Sequence, residues 1–253
     1  MRRRMMMVLV VLGAAVAGGD VLQQALAAGD GGGLALSPSI LEHVARPGPV
    51  GTMTLANTTA TALQVTVTPR PWLQSASGRV SPDRAHQLAG VTVADPSFEL
   101  AAGAQRTIAL SLLRTPPGGS LYGNVDVVGM PAGAKQRNGV VVAFRLVSSL
   151  RLNPVAPKHR LTIGDPRVSG RALAVAVRNA GNTVDPVSGT LRLSGALGGR
   201  STTIAATRIL PGAIVRVGAG SAKGLPKGAY TATVTLLQGG RRVASAKRRL
   251  RIG

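Results

Sequence analysis

"VRNAGNTVDPVSGTLRL", Val177 to Leu193, closes one run of alternating apolar residues at Arg178, breaks over Asn179, Gly181 and Asp185-Pro186, and then resumes the alternation in "GTLRL". An Asn-led break between two runs of period two predicts two strands joined by a turn. Asn caps its own turn and tolerates the left-handed backbone that ends a strand. The same phrase stands earlier as "MTLANTTATALQVTV", Met53 to Val67, with Asn57 at the break. Asn57 also opens a glycosylation sequon, "NTT", but the turn accounts for it unaided.

The likeness between the two halves runs on beyond the break. "FELAAGAQRTIALSL" is followed by "LYGNVDVV", and "TRILPGAIVRV" by "LPKGAYTATVTLL". Gly103 and Tyr122 are 19 residues apart, Gly212 and Tyr230 18. In "ALQVTVT" Leu63, Val65 and Val67 share one face; in "AYTATVTLL" Tyr230, Ala232, Val234 and Leu236 do. Further strands are read in "TIALSLL", "NVDVV", "VVVAFRLV", "ALAVAVR" and "TLRLS", separated by the turn sequences "RPGPVG", "TPPGGS", "QRNG", "SGALGG" and "LQGG". After residue 34 no long apolar repeat has helical spacing. About seven short strands per hundred residues is the pattern of an immunoglobulin-like sandwich. The expected class is all-β: two immunoglobulin-like domains in tandem, residues 34–152 and 159–253, joined by a proline-stiffened linker at 153–158.

The N-terminus reads as an export signal over residues 1–28. "MRRR" is the positive end, "MMMVLVVLGAAVAG" the apolar stretch and "ALA" the small-residue cleavage site. The apolar run falls short of the roughly 20 residues of a membrane span. Residues 29–33 form a Gly-rich spacer. With 0 cysteines the chain carries neither a disulfide nor a lipid-bearing cysteine, and an exported, cysteine-free protein points to a bacterial envelope. Only 5 aromatic residues (Trp72, Phe98, Tyr122, Phe144 and Tyr230) are available, so the cores must be built from Val, Leu, Ile and Ala.

The formal charge of +21 is spread unevenly. Residues 34–152 carry 10 basic and 5 acidic side chains, net +5; residues 153–253 carry 17 and 2, net +15. The C-terminal "GGRRVASAKRRLRI" puts Lys247, Arg249 and Arg251 on one face of a strand, about 6.8 Å apart, with Arg241 and Arg242 at the preceding hairpin. This basic rail is the expected anion-binding site, although charges on an edge strand also discourage aggregation. Arg248 falls on the opposite, apolar face, which predicts a peripheral strand or one whose pairing ends early.

Titratable groups form no catalytic constellation. His43, His86 and His159 lie in separate contexts without metal-ligand spacing, and no nucleophile elbow or phosphate loop is present. Asp83 with His86, and Asp185 before Pro186, read as loop and turn residues. No enzymatic activity, cofactor or metal is expected.

With those residues in view, "LSPSILEHVARPGPVGTMTLANTTATALQVTVTPRPWL", "VADPSFELAAGAQRTIALSL", "LYGNVDVVGMP" and "VVVAFRLVSSLRLNP" resemble the N-terminal domain of periplasmic pilus chaperones. They resemble equally the peptidoglycan-binding domain of the WxL-interacting cell-surface proteins. The second half, with "ILPG" and "LPKGAY", is similar to the immunoglobulin-like domain that follows it in secreted members. The resemblance implies a non-catalytic protein of the cell envelope. Pilus chaperones hold a subunit's terminal carboxylate with basic residues on the first and last strands of the first domain. Ser39 and Ser149 stand nearest those positions here, bringing hydrogen-bond donors and no charge. The WxL-interacting relatives usually end in a membrane span and a basic tail, whereas this sequence ends "KRRLRIG".

The expected function is association of an exported protein with peptidoglycan or an anionic wall polymer, chiefly through the charge of the second domain. The alternative is assembly of a surface protein by addition of a β-strand. A lipid surface is a further polyanion within reach. Nucleic acid is disfavoured by the shortage of stacking aromatics.

Overall fold

Alternation at period two forces strands to bury one face, and with no long amphipathic helix to cover that face the sheets must cover each other. The computed structural model describes residues 32–134, 141–196 and 198–253. The export signal at 1–28, most of the spacer at 29–33 and the "QRNG" turn lie outside the described residues. The described residues contain no α-helix, and none of their segments forms a helix long and apolar enough to cross a membrane.

The first unit contains β1 (Leu34–Ser37), β2 (Ile40–Val44), β3 (Gly48–Asn57), β4 (Leu63–Gln74), β5 (Val80–Pro82), β6 (Val91–Val93), β7 (Ser97–Leu100), β8 (Gln105–Leu112), β9 (Leu121–Pro131) and β10 (Phe144–Asn153). One sheet has the order β1-β3-β8-β6; the facing sheet has the order β2-β10-β9-β4-β5, with β7 also paired to β4. The chain changes sheets at Pro38: β1 runs antiparallel to β3, and β2 runs parallel to β10. Leu55, Leu63, Val65, Val125, Val127, Leu150 and Leu152 meet between the sheets, all fully buried.

The second unit contains β11 (Leu161–Ser169), β12 (Ala172–Asn179), β13 (Val187–Gly195), β14 (Gly198–Thr207), β15 (Ile214–Ser221), β16 (Gly228–Gln238) and β17 (Arg241–Ile252). Its sheets have the orders β11-β12-β15 and β14-β13-β16-β17. Val175, Val177, Leu191, Val234 and Leu236 fill the interior. Apolar burial at roughly 25 cal/mol per Å² drives both units. Alternating Val and Leu make up most of both interiors, with Phe98 as a buried ring in the first and Tyr230 in the second. Gly239 and Gly240, at φ of 57° and 78°, join β16 to β17 in a two-residue loop closed by the Gln238–Arg241 pair, the conformation that twisted hairpins favour.

The repeated Asn has one job in both units. Asn57 Nδ2 donates to the carbonyls of Thr61 (2.9 Å), Leu100 (3.1 Å) and Ala101 (3.0 Å), and its Oδ1 accepts from the Thr59 amide at 3.0 Å. Asn179 Nδ2 donates to Thr183 O and Ile209 O, both at 2.7 Å, and its Oδ1 accepts from the Gly181 amide at 3.0 Å. Each amide caps its own turn and ties that turn to a distant corner of the sandwich. One feature differs from the sequence expectation: neither Asn adopts a left-handed backbone, since the described residues with positive φ are all glycines. Both side chains are buried, and Asn57 is a core crosslink as well as a turn residue. The paired tyrosines diverge. Tyr230 is buried and donates to Pro226 O at 2.8 Å, four residues upstream, as a tyrosine corner does. Tyr122 turns toward the other domain.

Candidate functional site

The two sandwiches are docked on each other by hydrogen bonds. Gln74, at the end of β4, donates to Arg208 O at 2.8 Å and accepts from the Leu210 amide at 2.8 Å, so one side chain satisfies a backbone donor and acceptor across the joint. The Arg216 amide donates to Ala76 O at 2.7 Å. Asn182 reaches Gly118 O and Ala156 O, both at 3.2 Å, and accepts from the Lys158 amide at 2.7 Å. A Cβ on Gly181 would stand 2.0 Å from Lys158 O, so only glycine permits this approach. Substituting Gln74→Ala removes both bonds of its clamp; the Leu210 amide is expected to exchange hydrogen about tenfold faster, one net hydrogen bond's worth, with little change at the core amides.

A cleft of about 270 Å³ opens beside this joint, lined from the first unit by Trp72, Tyr122, Ser149 and Arg151 and from the second by Val184, Arg208 and Leu210. Trp72 and Tyr122, two of the few aromatic residues, form its wall. Burial pushes the Tyr122 hydroxyl above its ordinary pKa, so it stays a neutral donor, aimed between Asn153 Oδ1 (3.1 Å) and Asn182 O (3.3 Å). Arg151 lies across from Glu42 at 3.7 Å, with the carboxylate half exposed. Such a long, wet pair contributes little and can yield to a better carboxylate. Arg208 donates to Val184 O at 2.9 Å. The cleft can thus present two guanidinium groups, one from each domain, to a single anion.

Of the two serines expected as anchors, Ser149 lines the cleft and Ser39 is exposed and does not. They are nevertheless neighbours, since the Ser149 amide donates to Ser39 O at 2.9 Å. The charge that the serines lack stands two residues on, at Arg151. Strand alternation puts Ser149 and Arg151 on one face, so "SSLRLN" contained the signal. Arg208 had no such signal, because only docking of the domains brings it near.

The bond from Ser149 to Ser39 also orients the strand. Backbone groups of alternate residues face the same edge, so Val147 and Arg145 present theirs on the side where Ser149 meets β2. Pairing with β2 covers only Ser149–Asn153, whereas β9 pairs along the whole of Phe144–Leu152. The half of β10 from Phe144 to Ser148 is therefore a sheet edge that no described strand covers, and Val147 is 41% exposed on it. Arg145 is fixed there by Asp126, a fully buried carboxylate that also accepts from Arg70 Nε at 2.8 Å.

Elsewhere, β17 exposes Lys247, Arg249 and Arg251 on its outer face, and Arg241 and Arg242 at the hairpin. Of the two expectations drawn from Arg248, the peripheral strand holds, since β17 is the edge strand of its sheet. Pairing with β16 does not end early but continues to Ile252, opposite Gly228. Arg248 bridges to β11, donating to Ile163 O at 2.9 Å with Asp165 at 3.4 Å, and closes the gap between the two sheets. The His–Asp contacts are local. His86 Nδ1 and Asp83 Oδ2 lie 2.8 Å apart in an exposed loop, and this hydrogen bond holds the Asp83 pKa below its usual value. His159 Nε2 and Asp185 Oδ2, also 2.8 Å apart, tie the linker's end to the second unit. Among the described residues no group of three or more His, Asp or Glu side chains could hold a metal.

No protein-family model matches the sequence, and no curated protein matches it. The WxL-interacting resemblance therefore remains a resemblance of pattern. Solved structures do match. A chain from the structure "Chaperone-tip adhesin complex is vital for synergistic activation of CFA/I fimbriae biogenesis" superposes with a TM-score of 0.54 at 11% identity, over 86% of this chain and 98% of that one. The class 5 fimbriae chaperone CfaA gives 0.47 at 12%, over 87% and 99%. The CupB2 chaperone of Pseudomonas aeruginosa gives 0.42 at 14%, over 85% and 100%. At these identities the first of the three establishes likeness of fold alone, immunoglobulin-type sandwiches in tandem.

Proposed function

We propose that the protein acts in the cell envelope as an assembly partner of a surface protein, binding it non-catalytically by strand addition. One observation carries this reading: the uncovered half of β10 runs directly into a cleft holding Arg151 and Arg208. An extended segment laid along Val147 and Arg145 would take up their free backbone groups, and its terminal carboxylate would reach the two guanidinium groups. Backbone pairing supplies affinity in such a complex, and the charged end sets the register. The similarity to a chain of a chaperone–tip adhesin complex supports the same reading, as does the export signal in the sequence.

The protein is expected to recover one stoichiometric polypeptide from its native envelope. Val147→Pro removes an edge donor without touching the pairing to β9 and should abolish recovery. Arg151→Ala should weaken it at least about 30-fold, since truncating one side of a desolvated charge pair costs about 2 kcal/mol or more. Recovery unchanged by both substitutions would sink the proposal.

A further inference from the structure

The outer face of the sheet β14-β13-β16-β17 is polar and free of carboxylates. Directly paired residues share a face, so the ladders can be read across it. Lys247 lies opposite Thr233, and Thr233 opposite Arg192; Arg249 lies opposite Thr231, and Thr231 opposite Ser194; Ser245 lies opposite Thr235, and Thr235 opposite Thr190. A bulge near Leu236 and Leu237 returns Arg242 to the same face. The face thus has hydroxyls at its centre and five cations, Arg192, Arg242, Lys247, Arg249 and Arg251, around them. Both acidic residues of this domain are engaged elsewhere, Asp165 with Arg248 and Asp185 with His159. Edge protection on β17 does not account for Arg192, which stands on β13 inside the sheet.

We infer that this face is a docking surface for a phosphodiester polymer, a polyol-phosphate chain lying along β17. The spacing supports that occupant. Lys247, Arg249 and Arg251 recur every two residues, six backbone bonds or about 6.8 Å. A glycerol-phosphate chain repeats its charge every six covalent bonds, so consecutive phosphates can meet consecutive cations while the Thr231 and Thr233 hydroxyls donate to the same oxygens. A nucleic acid would want stacking rings, and the face has none. A lipid surface would want apolar anchors, and Leu237, half-buried, is the one large apolar side chain the ladders place there. The surface lies on a different domain from the open edge of β10, so the two proposals stand or fall separately.

The test is a titration of the protein with a synthetic poly(glycerol phosphate) chain. With about four phosphates neutralised, log affinity should fall against log salt with a slope near −3, about 50-fold between roughly 50 and 200 mM salt, as for a flexible polyanion. The triple substitution Lys247→Thr, Arg249→Thr and Arg251→Thr keeps residues that favour strands. It should weaken binding about 100-fold, each cation near a polyanionic surface contributing roughly a factor of five. If that variant fails to fold, Gln at the three positions serves the same comparison. Arg167→Thr, Arg171→Thr and Lys223→Thr remove equal charge from elsewhere on the domain and should change affinity by less than about threefold. Equal losses in both triples would reduce the effect to net charge and overturn the assignment. So would tighter binding to phosphatidylglycerol vesicles than to the polymer, or no polymer binding at all.

Discussion

Asn179→Ala is expected to destabilise the second domain by about 4 kcal/mol. The Asn179 side chain is fully buried, and its amide serves two buried carbonyls, Thr183 O and Ile209 O, and one turn amide, that of Gly181. Alanine leaves all three without that partner. Each stranded buried group costs about 1–3 kcal/mol. Against a typical domain stability of about 5–15 kcal/mol, a loss of this size brings the domain close to unfolding at ambient temperature. Asn57→Ala should cost the first domain a similar amount, because the same side chain makes the corresponding bonds there. Asn179→Asp keeps the volume and the acceptor but puts a carboxylate against two carbonyl oxygens, and should be at least as damaging. Urea midpoints measured on each variant give the comparison. A change below about 1 kcal/mol at Asn179 would show that these bonds are replaceable and that the repeated Asn is a turn residue only.

The second large effect is expected at Asp126→Ala, about 3 kcal/mol of the first domain's stability. Asp126 lies at the centre of its sheet, between Thr68 on β4 and Val147 on β10, and is 1% exposed. Arg70 and Arg145 both converge on it, and Arg70 additionally holds Arg84 O at 2.8 Å and His86 O at 3.3 Å, pinning a long loop to the sheet. Breaking a buried ion pair by deleting one side costs about 3–5 kcal/mol, because the surviving charge loses its partner. The low end applies, since both guanidinium groups retain some contact with water. Replacing all three residues together by apolar ones of similar size should recover most of the loss, whereas the single substitution should not. Chemical denaturation of the single and triple variants measures the difference. Arg145 belongs to the open half of β10, so Asp126→Ala should also weaken strand addition by loosening that edge. Stability lost with partner binding intact would separate the two roles.

Much of the architecture was readable along the chain. Leu63, Val65 and Val67 alternate with polar residues and are buried as that pattern requires. The duplicated Asn break marked two equivalent corners, one in each sandwich. The cationic row on β17 was equally plain, because successive side chains of a strand point to opposite faces. Arg248 marked a peripheral strand for a related reason. Alternation assigned it to the inner face but could not show that β11 closes against β17 and offers it Ile163 O. The cleft escaped altogether: Ser149 drew attention as a donor, while Arg151, on the same face, became meaningful only once Arg208 stood across from it.

The sequence by itself determined an all-β chain, written twice, with aliphatic interiors and its positive charge gathered in the second half, because strand period and turn chemistry are local properties that neighbouring residues express without help. Only the tertiary structure decided where the chain is open to a partner. The contacts across the joint beside the cleft join residues far apart in sequence, such as Tyr122 with Asn182, 60 positions apart, and Gln74 with Leu210, 136 apart. Such contacts depend on how two finished sandwiches dock and on which strand edge the docking leaves uncovered, and no local pattern encodes either.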